Sequence, residues 1–338
     1  MPIAAPIVAT NQKDIDPFAS LKTLLQEDLK KVDQIIENNL DSPVPLIPTM
    51  GRHLISAGGK RLRPLLTIAC HRLFEEAGDA ALGLAAAVEF IHTATLLHDD
   101  VIDESQLRRG LPTANAVWGN QPSVLVGDFL FARSFQLMVE SNNSDVLKIL
   151  ANAAACIAEG EILQLSVCHN LEAKTEDALR VIEGKSATLF AAACQVGALM
   201  ANKTAQATAL RDYGRNLGMA FQIVDDILDY CAHTNHLGKD IGDDFREGKI
   251  TLPVILAYPH CQQDEKEFLK KSLIDHIQTP DDLSHALHLL HKRQGISKAY
   301  ELAKAYGEKA HQALEPLPSH PIKDLLARLI DHSLARQC

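Results

Sequence analysis

The sequence predicts an all-α protein built as a single large helical domain. Three observations carry that expectation. No stretch keeps a period-2 alternation of apolar and polar residues, Ala and Leu dominate the long stretches, and apolar residues recur at helical spacing. At 338 residues with 46% hydrophobic composition, the chain can bury more core than a simple four-helix bundle needs, and no fixed-period repeat or low-complexity linker divides it. Residues 1–16 are expected to be a frayed tail, which leaves 17–338 as the domain.

Residues 17–39 place Leu21, Leu24, Leu25, Leu29, Val32, Ile35 and Ile36 along one helical stripe, with Pro17 where a missing N–H costs nothing. Pro43, Pro45 and Pro48 then break the chain before a short helix near 48–56. The Gly58-Gly59 turn leads into Lys60, Arg61, Leu62, Arg63 and Pro64, and a helix follows over 65–74. From Gly78-Asp79 a long apolar helix runs into Asp99-Asp100-Val101-Ile102-Asp103. Residues 105–112 read as a polar loop, and 121–140, 144–168, 174–201 and 204–232 as helices. The glycine-containing stretch 236–249 mixes both charges and reads as a loop. Shorter amphipathic helices follow, punctuated by Pro280, Pro316, Pro318 and Pro321.

Composition narrows the function classes. A net charge of −10 argues against nucleic acid as a partner. The seven cysteines show no C-x-x-C spacing and lie mostly in apolar helical runs, as reduced core residues of a cytoplasmic protein do. No basic residue precedes the short apolar patch at the N-terminus, so no secretory leader is expected. The most apolar windows, 79–97 and 187–201, are interrupted by Glu89 and His92 or by Gln195, short of the ~20 clean residues a membrane span requires.

The chemistry centres on aspartates. Asp99 and Asp103, four apart on a helix, stack on one face and repel by roughly 0.2–0.5 kcal/mol. The pattern returns at Asp225-Asp226-Ile227-Leu228-Asp229 behind another apolar helix. One such cluster fits a solvated acidic helix end. Two behind packed helices fit a shared cavity in which divalent cations neutralise Asp99, Asp100, Asp103, Asp225, Asp226 and Asp229. Oxygen-only donors suit Mg²⁺, which keeps positions open for substrate phosphates. Lys60, Arg61 and Arg63 follow the Gly-Gly turn, Arg108 and Arg109 follow the first motif, and Lys185, Lys239 and Lys249 each follow a glycine. Singly these are surface cations; as a set they point to anion pockets beside the metals. The requirement is two phosphate-bearing ligands, one held through metal and one through basic side chains alone. Glu89-x-x-His92 and Glu308-x-x-His311 have the spacing of helical di-iron sites, but that reading leaves both aspartate motifs unexplained. Val88, Ile91, Ala94 and Thr95 precede Asp99 on or beside its own helical face, either as ordinary packing or as the wall of a cavity.

The sequence resembles the trans-isoprenyl diphosphate synthases, and within them the long-chain, octaprenyl-like members. The resemblance rests on Gly59-Lys60-Arg61-Leu62-Arg63-Pro64, HTATLLHDDVIDES from His92 to Ser105, Arg108-Arg109-Gly110, and TANAVWGN from Thr113 to Asn120. SVLVGDFLFARSFQLM from Ser123 to Met138, Gly184-Lys185-Ser186, FQIVDDILDY from Phe221 to Tyr230, Gly238-Lys239 and EGKITLP from Glu247 to Pro253 extend it. It covers residues 17–258 closely, and the C-terminal helices only in character.

The resemblance implies an all-α isoprenoid synthase fold with a deep central cavity, and a homodimer. It implies an allylic diphosphate, farnesyl diphosphate being the expected primer, on three Mg²⁺ held by Asp99, Asp103 and Asp225, with Asp100, Asp226 and Asp229 in support. Arg108, Lys185, Gln222 and Lys239 would hold that diphosphate, with Ser186 in the place of the threonine many relatives carry and Lys249 close by. Isopentenyl diphosphate would bind without metal through Lys60, Arg63, His92 and Arg109. In the family the allylic carbon–oxygen bond ionises, the isopentenyl double bond attacks the cation, and the departed diphosphate is thought to accept the proton that is lost.

Family members stop chain growth early with bulky residues four and five positions before the first motif. Here those positions hold Thr95 and Ala94, so the resemblance implies a tunnel that stays open. Each five-carbon unit buried in an apolar tunnel gains roughly 3–4 kcal/mol, at about 0.8 per carbon. The implied product is all-trans and well beyond twenty carbons, with octaprenyl the central expectation and a quinone side chain its destination. Its release would allow transient membrane contact. Three alternatives stay open: a shorter-chain geranylgeranyl synthase, a non-catalytic subunit of a heteromeric synthase, and a terpene cyclase. The kept pair of aspartate motifs speaks against the second, and Lys60, Arg63 and Arg109 against the third.

Overall fold

The computed structural model describes residues 16–56, 59–76, 78–108, 110–230 and 242–336. Asp16 opens the first helix: its carboxylate accepts the Phe18 N–H at 2.9 Å, one of the donors that a helix start leaves unpaired. The stripe expected over 17–39 is two helices, α1 (Pro17–Leu24) and α2 (Gln26–Asn39), broken at Leu25. After the proline joint come α3 (Leu46–Ser56), α4 (Leu62–Arg72) and the long α5 (Leu82–Ile102), whose C-cap is Asp103. The polar loop at 105–112 contains two short strands, β1 (Leu107–Arg108) and β2 (Leu111–Pro112), paired antiparallel around Gly110 at φ +77°.

Four long helices follow in substance as expected: α7 (Asn120–Glu140) behind the short α6 (Ala114–Trp118), then α8 (Ser144–Val167), α10 (Thr188–Met200) and α11 (Thr204–Leu228). The run expected over 174–201 is not uniform. It consists of α9 (Thr175–Ile182), a π-turn over Glu183–Ala187, and then α10. Beyond the second aspartate motif lie α12 (Asp243–Arg246), α13 (Leu252–Ala257), α14 (Gln263–Leu269), α15 (Asp282–Lys292), α16 (Gly295–Leu314) and α17 (Pro321–Leu334).

Two apolar clusters hold these helices. The first joins α1, α2, α4, α5, α7, α8 and α10 with the N-terminal half of α11 and with α17. The second joins the C-terminal half of α11 to α9, α13, α14, α15 and α16. Helix α11 therefore threads both, and its C-terminal end delivers the second aspartate motif. No described helix is long and apolar enough to cross a membrane.

Candidate active site

The two aspartate motifs close two helices that the packing fixes rigidly. Asp99, Asp100 and Asp103 end α5, whose preceding turns bury Val88, Ile91 and Ala94 completely; Gln222, Asp225, Asp226 and Asp229 end α11. Two separate segments tie the motifs together. In the first, the Asp244 N–H donates to the Asp229 carboxylate at 2.9 Å, the Lys249 N–H to the Asp244 carbonyl at 2.8 Å, and Lys249 Nζ to Asp103 Oδ2 at 2.8 Å. The segment 244–249 thus spans from one motif to the other. In the second, Ser186 Oγ donates to Gln222 Oε1 at 2.7 Å, and Gln222 Nε2 to Asp226 Oδ1 at 2.9 Å. Its neighbour Lys185 lies within the electrostatic reach of Asp99.

The π-turn that carries Lys185 and Ser186 packs backbone to backbone on α8. A Cβ on Gly160 would come within 2.9 Å of the Lys185 backbone nitrogen, and one on Gly184 within 2.9 Å of the Gly160 Cα. Helix α8 therefore lies directly against the turn. From α8, Glu161 and Gln164 grip Lys185 Nζ at 2.6 and 2.5 Å. Widened helical turns of this kind often aim functional side chains.

Charge is concentrated and poorly solvated here. Burial pushes the Asp99 carboxyl up to about 7; Lys185 and Arg108 oppose the shift, and Glu161 and Asp103 reinforce it. Burial likewise raises Asp226, with Asp244 and Asp225 adding to it. Burial works against the Lys249 cation, yet Asp103 and Glu247 hold its pKa above the ordinary lysine value. Asp100, only 1% exposed, accepts two hydrogen bonds from Arg108 through Oδ1 at 2.9 and 2.6 Å, while its buried Oδ2 has no partner. A cluster of all-oxygen donors with one orphaned carboxylate oxygen and two carboxyls driven towards neutrality fits a hard divalent cation. Among the described residues, no three His, Cys, Asp or Glu side chains form a metal cage alone.

The basic residues fall into two neighbourhoods. Arg108 and Lys185 stand by the first motif. Lys60 lies within reach of Asp225 and Arg336, its pKa lowered by burial first and by Arg336 second. Arg63 stacks over Phe190 at 4.6 Å. His92 sits half-buried on α5, where its carbonyl accepts the Thr95 hydroxyl at 2.8 Å. Arg109 and Lys239 lie outside the described residues. The E-x-x-H pairs are engaged elsewhere: Glu89 binds Arg61, and His311 binds Asp331.

The profile of the polyprenyl synthetase family matches residues 44–290. The chain belongs to the polyprenyl synthetase family. It is 41% identical over 326 residues to the octaprenyl diphosphate synthase of Haemophilus influenzae, covering 96% of this chain and 99% of that one. The crystal structure of a decaprenyl diphosphate synthase from Rhodobacter capsulatus superposes with a TM-score of 0.91 at 48% identity, covering 95% of this chain and all of that one. That of a polyprenyl synthase from Caulobacter crescentus, complexed with calcium and isoprenyl diphosphate, superposes with a TM-score of 0.90 at 47% identity, covering 95% and 98%. The expected all-helical isoprenoid synthase fold is therefore correct. As a polyprenyl synthetase the chain is a prenyltransferase, and its similarity along the whole length sets it with the long-chain trans-prenyl diphosphate synthases.

Three participants escaped the sequence reading. Glu161 and Gln164 were visible only as two of several polar residues in α8. Arg336 could not be assigned from its place near the C-terminus; its guanidinium lies 3.4 Å from Asp225 Oδ1 and stacks over Phe221 at 4.9 Å.

Proposed function

We propose that the chain joins isopentenyl diphosphate head-to-tail onto an allylic diphosphate at the site between its two aspartate motifs. The observation that supports this best is the segment 244–249, which joins the ends of α5 and α11 through Asp244 N–H to Asp229 and Lys249 Nζ to Asp103, with Lys185 in the electrostatic reach of Asp99 and Lys60 in that of Asp225. Asp99, Asp103 and Asp225, backed by Asp100, Asp226 and Asp229, would hold Mg²⁺, three ions with substrate present, together with oxygens of the allylic diphosphate. The bound metal supplies charge neutralisation for the leaving diphosphate.

The chain's own residues do the rest. Arg108, Lys185, Gln222 and Lys239 bind the same diphosphate, with Lys249 close by, and Ser186 holds the Gln222 amide through its Oε1. Lys60, Arg63, His92 and Arg109 bind isopentenyl diphosphate without metal. Val88, Ile91, Ala94 and Thr95 wall off water from the reacting carbon and line the growing tail. The Thr95 hydroxyl is turned back onto the His92 carbonyl, so its methyl is free to serve that wall.

Residues 17–338 act as one domain, because α11 contributes to both apolar clusters. A second copy would cover the apolar face of α7 and α8, where Leu125 and Ile162 are each 67% exposed beside Phe135, Val139 and Leu165. The five described cysteines are free thiols, in keeping with work in the cytoplasm.

Turnover of labelled isopentenyl diphosphate tests the assignment. Asp99→Ala and Asp225→Ala should abolish it, whereas Lys60→Ala and Arg63→Ala should chiefly raise the KM for isopentenyl diphosphate. Full turnover in either aspartate variant would exclude the arrangement.

A further inference from the structure

We propose that the Arg61–Glu89 ion pair is a positioning device for the metal-free diphosphate pocket; the inference rests on the reading that Lys60, Arg63 and His92 form that pocket. Neither residue is a ligand in the function proposed above, yet the placement of Arg61 is unusual. Arg61 stands at the N-cap of α4 with φ +52° and ψ +35°, in the left-handed region, and its side chain makes no cap hydrogen bond. A residue other than glycine resists that conformation by roughly 1–2 kcal/mol, so its surroundings must impose it.

The side chain of Arg61 is held by α5. Arg61 Nη1 donates to Glu89 Oε1 at 2.7 Å, with the two side chains only 17% and 11% exposed, while Asp33 of α2 lies at 3.9 Å from Arg61 Nε. Beside the pair is a small cavity lined mainly by apolar groups of Ile36, Leu40, Phe90 and Leu130. In such surroundings a charge is stable only while its partner stays.

The geometry explains what the pair accomplishes. Arg61 lies between Lys60 and Arg63, and Glu89 lies three residues before His92 on the same helix. One hydrogen-bonded charge pair therefore fixes the chain segment bearing two of the proposed ligands against the helix bearing the third. Arg63 is held on its far side by stacking on Phe190 of α10 at 4.6 Å. With Arg61 in the left-handed region, the chain turns sharply between Lys60 and α4. Losing the pair would let the segment relax away from α5 and spread the three ligands apart.

The test is the affinity for isopentenyl diphosphate measured by titration calorimetry in EDTA, without metal or primer, alongside the KM for farnesyl diphosphate with Mg²⁺ and a thermal melt of each variant. Arg61→Ala and Glu89→Gln should each weaken isopentenyl diphosphate binding by about tenfold, the loss typical when a supporting charged partner is removed. The KM for farnesyl diphosphate should stay within about twofold, and Arg61→Lys should recover most of the affinity. The double variant should be no worse than the poorer single one, as for two residues acting as a unit.

Arg63→Ala serves as the reference. If it weakens binding while Arg61→Ala and Glu89→Gln change it by less than about threefold, the positioning role is overturned and the pocket assignment stands. An equal loss for both substrates also overturns it, because the pair would then support the fold alone. If Arg63→Ala itself has no effect, the pocket assignment fails first.

Discussion

Asp99 and Asp103 lie one helical turn apart, and their repulsion is relieved differently at each residue: Asp103 has Lys249 at 2.8 Å, whereas Asp99 is left to burial and drifts to about 7. Asp99→Asn should therefore fold at least as well as the parent without metal, yet lose about a thousandfold or more in turnover. A melt together with an elongation rate would check both halves. The spacing of the aspartates was enough to point to a cation at this site. It could not say which aspartate turns elsewhere, because that depends on the fold-back of the 103–113 segment. There Arg108 returns to Asp100, and Asn115 Nδ2 donates to the Asp100 and Ser105 carbonyls at 3.1 and 3.0 Å. Such contacts are set by loop geometry, to which helical periodicity is blind.

At the scale of elements, periodicity predicts helices well and their interruptions poorly. The stripe through Leu21, Leu25, Leu29 and Val32 continues unbroken across the Leu25 joint, so the pattern carries no sign of it. The π-turn at 183–187 is hidden for a similar reason: it packs against a glycine on another helix, which the local pattern does not record. Gly160→Ala should push the Lys185 backbone away from α8 and lower turnover by about 10–100-fold with a smaller effect on stability. Rates and melts of this variant, compared with those of Gly83→Ala, where no neighbour lies within 4 Å, check the claim. A second element-level joint is open to a pH test. Glu265 of α14 is held at about 2, below its ordinary 4.5, by Arg293 at 2.8 Å, by the Gln262 N–H and by Lys292 at 3.0 Å. Its contribution is present above the unfolded value of 4.5 and is lost as pH falls towards 2. The loss of melting temperature in Glu265→Gln should thus be greater at about pH 7 than at about pH 3. An undiminished loss at the lower pH would contradict it.

For the whole molecule, the fold class and the family were legible because the helical patterning is strong and the motifs are numerous and ordered. Where a second copy would sit was less legible, because an exposed apolar face appears only once helices are packed. Leu125→Asp and Ile162→Asp should convert the protein to monomers in sedimentation equilibrium if a second copy covers α7 and α8. Product length is also a property of the whole. With Ala94 fully buried on α5, Ala94→Phe should shorten the product, and product sizing of that variant would show it; an unchanged length would rule out a tunnel along this face. The central claim is that this chain by itself elongates an allylic diphosphate with isopentenyl diphosphate. Its most direct test is incubation of the purified protein with farnesyl diphosphate, labelled isopentenyl diphosphate and Mg²⁺, followed by sizing of the products. All-trans products well beyond twenty carbons, abolished by chelation, are the expected result. A folded protein that adds no isopentenyl unit under those conditions would contradict the account.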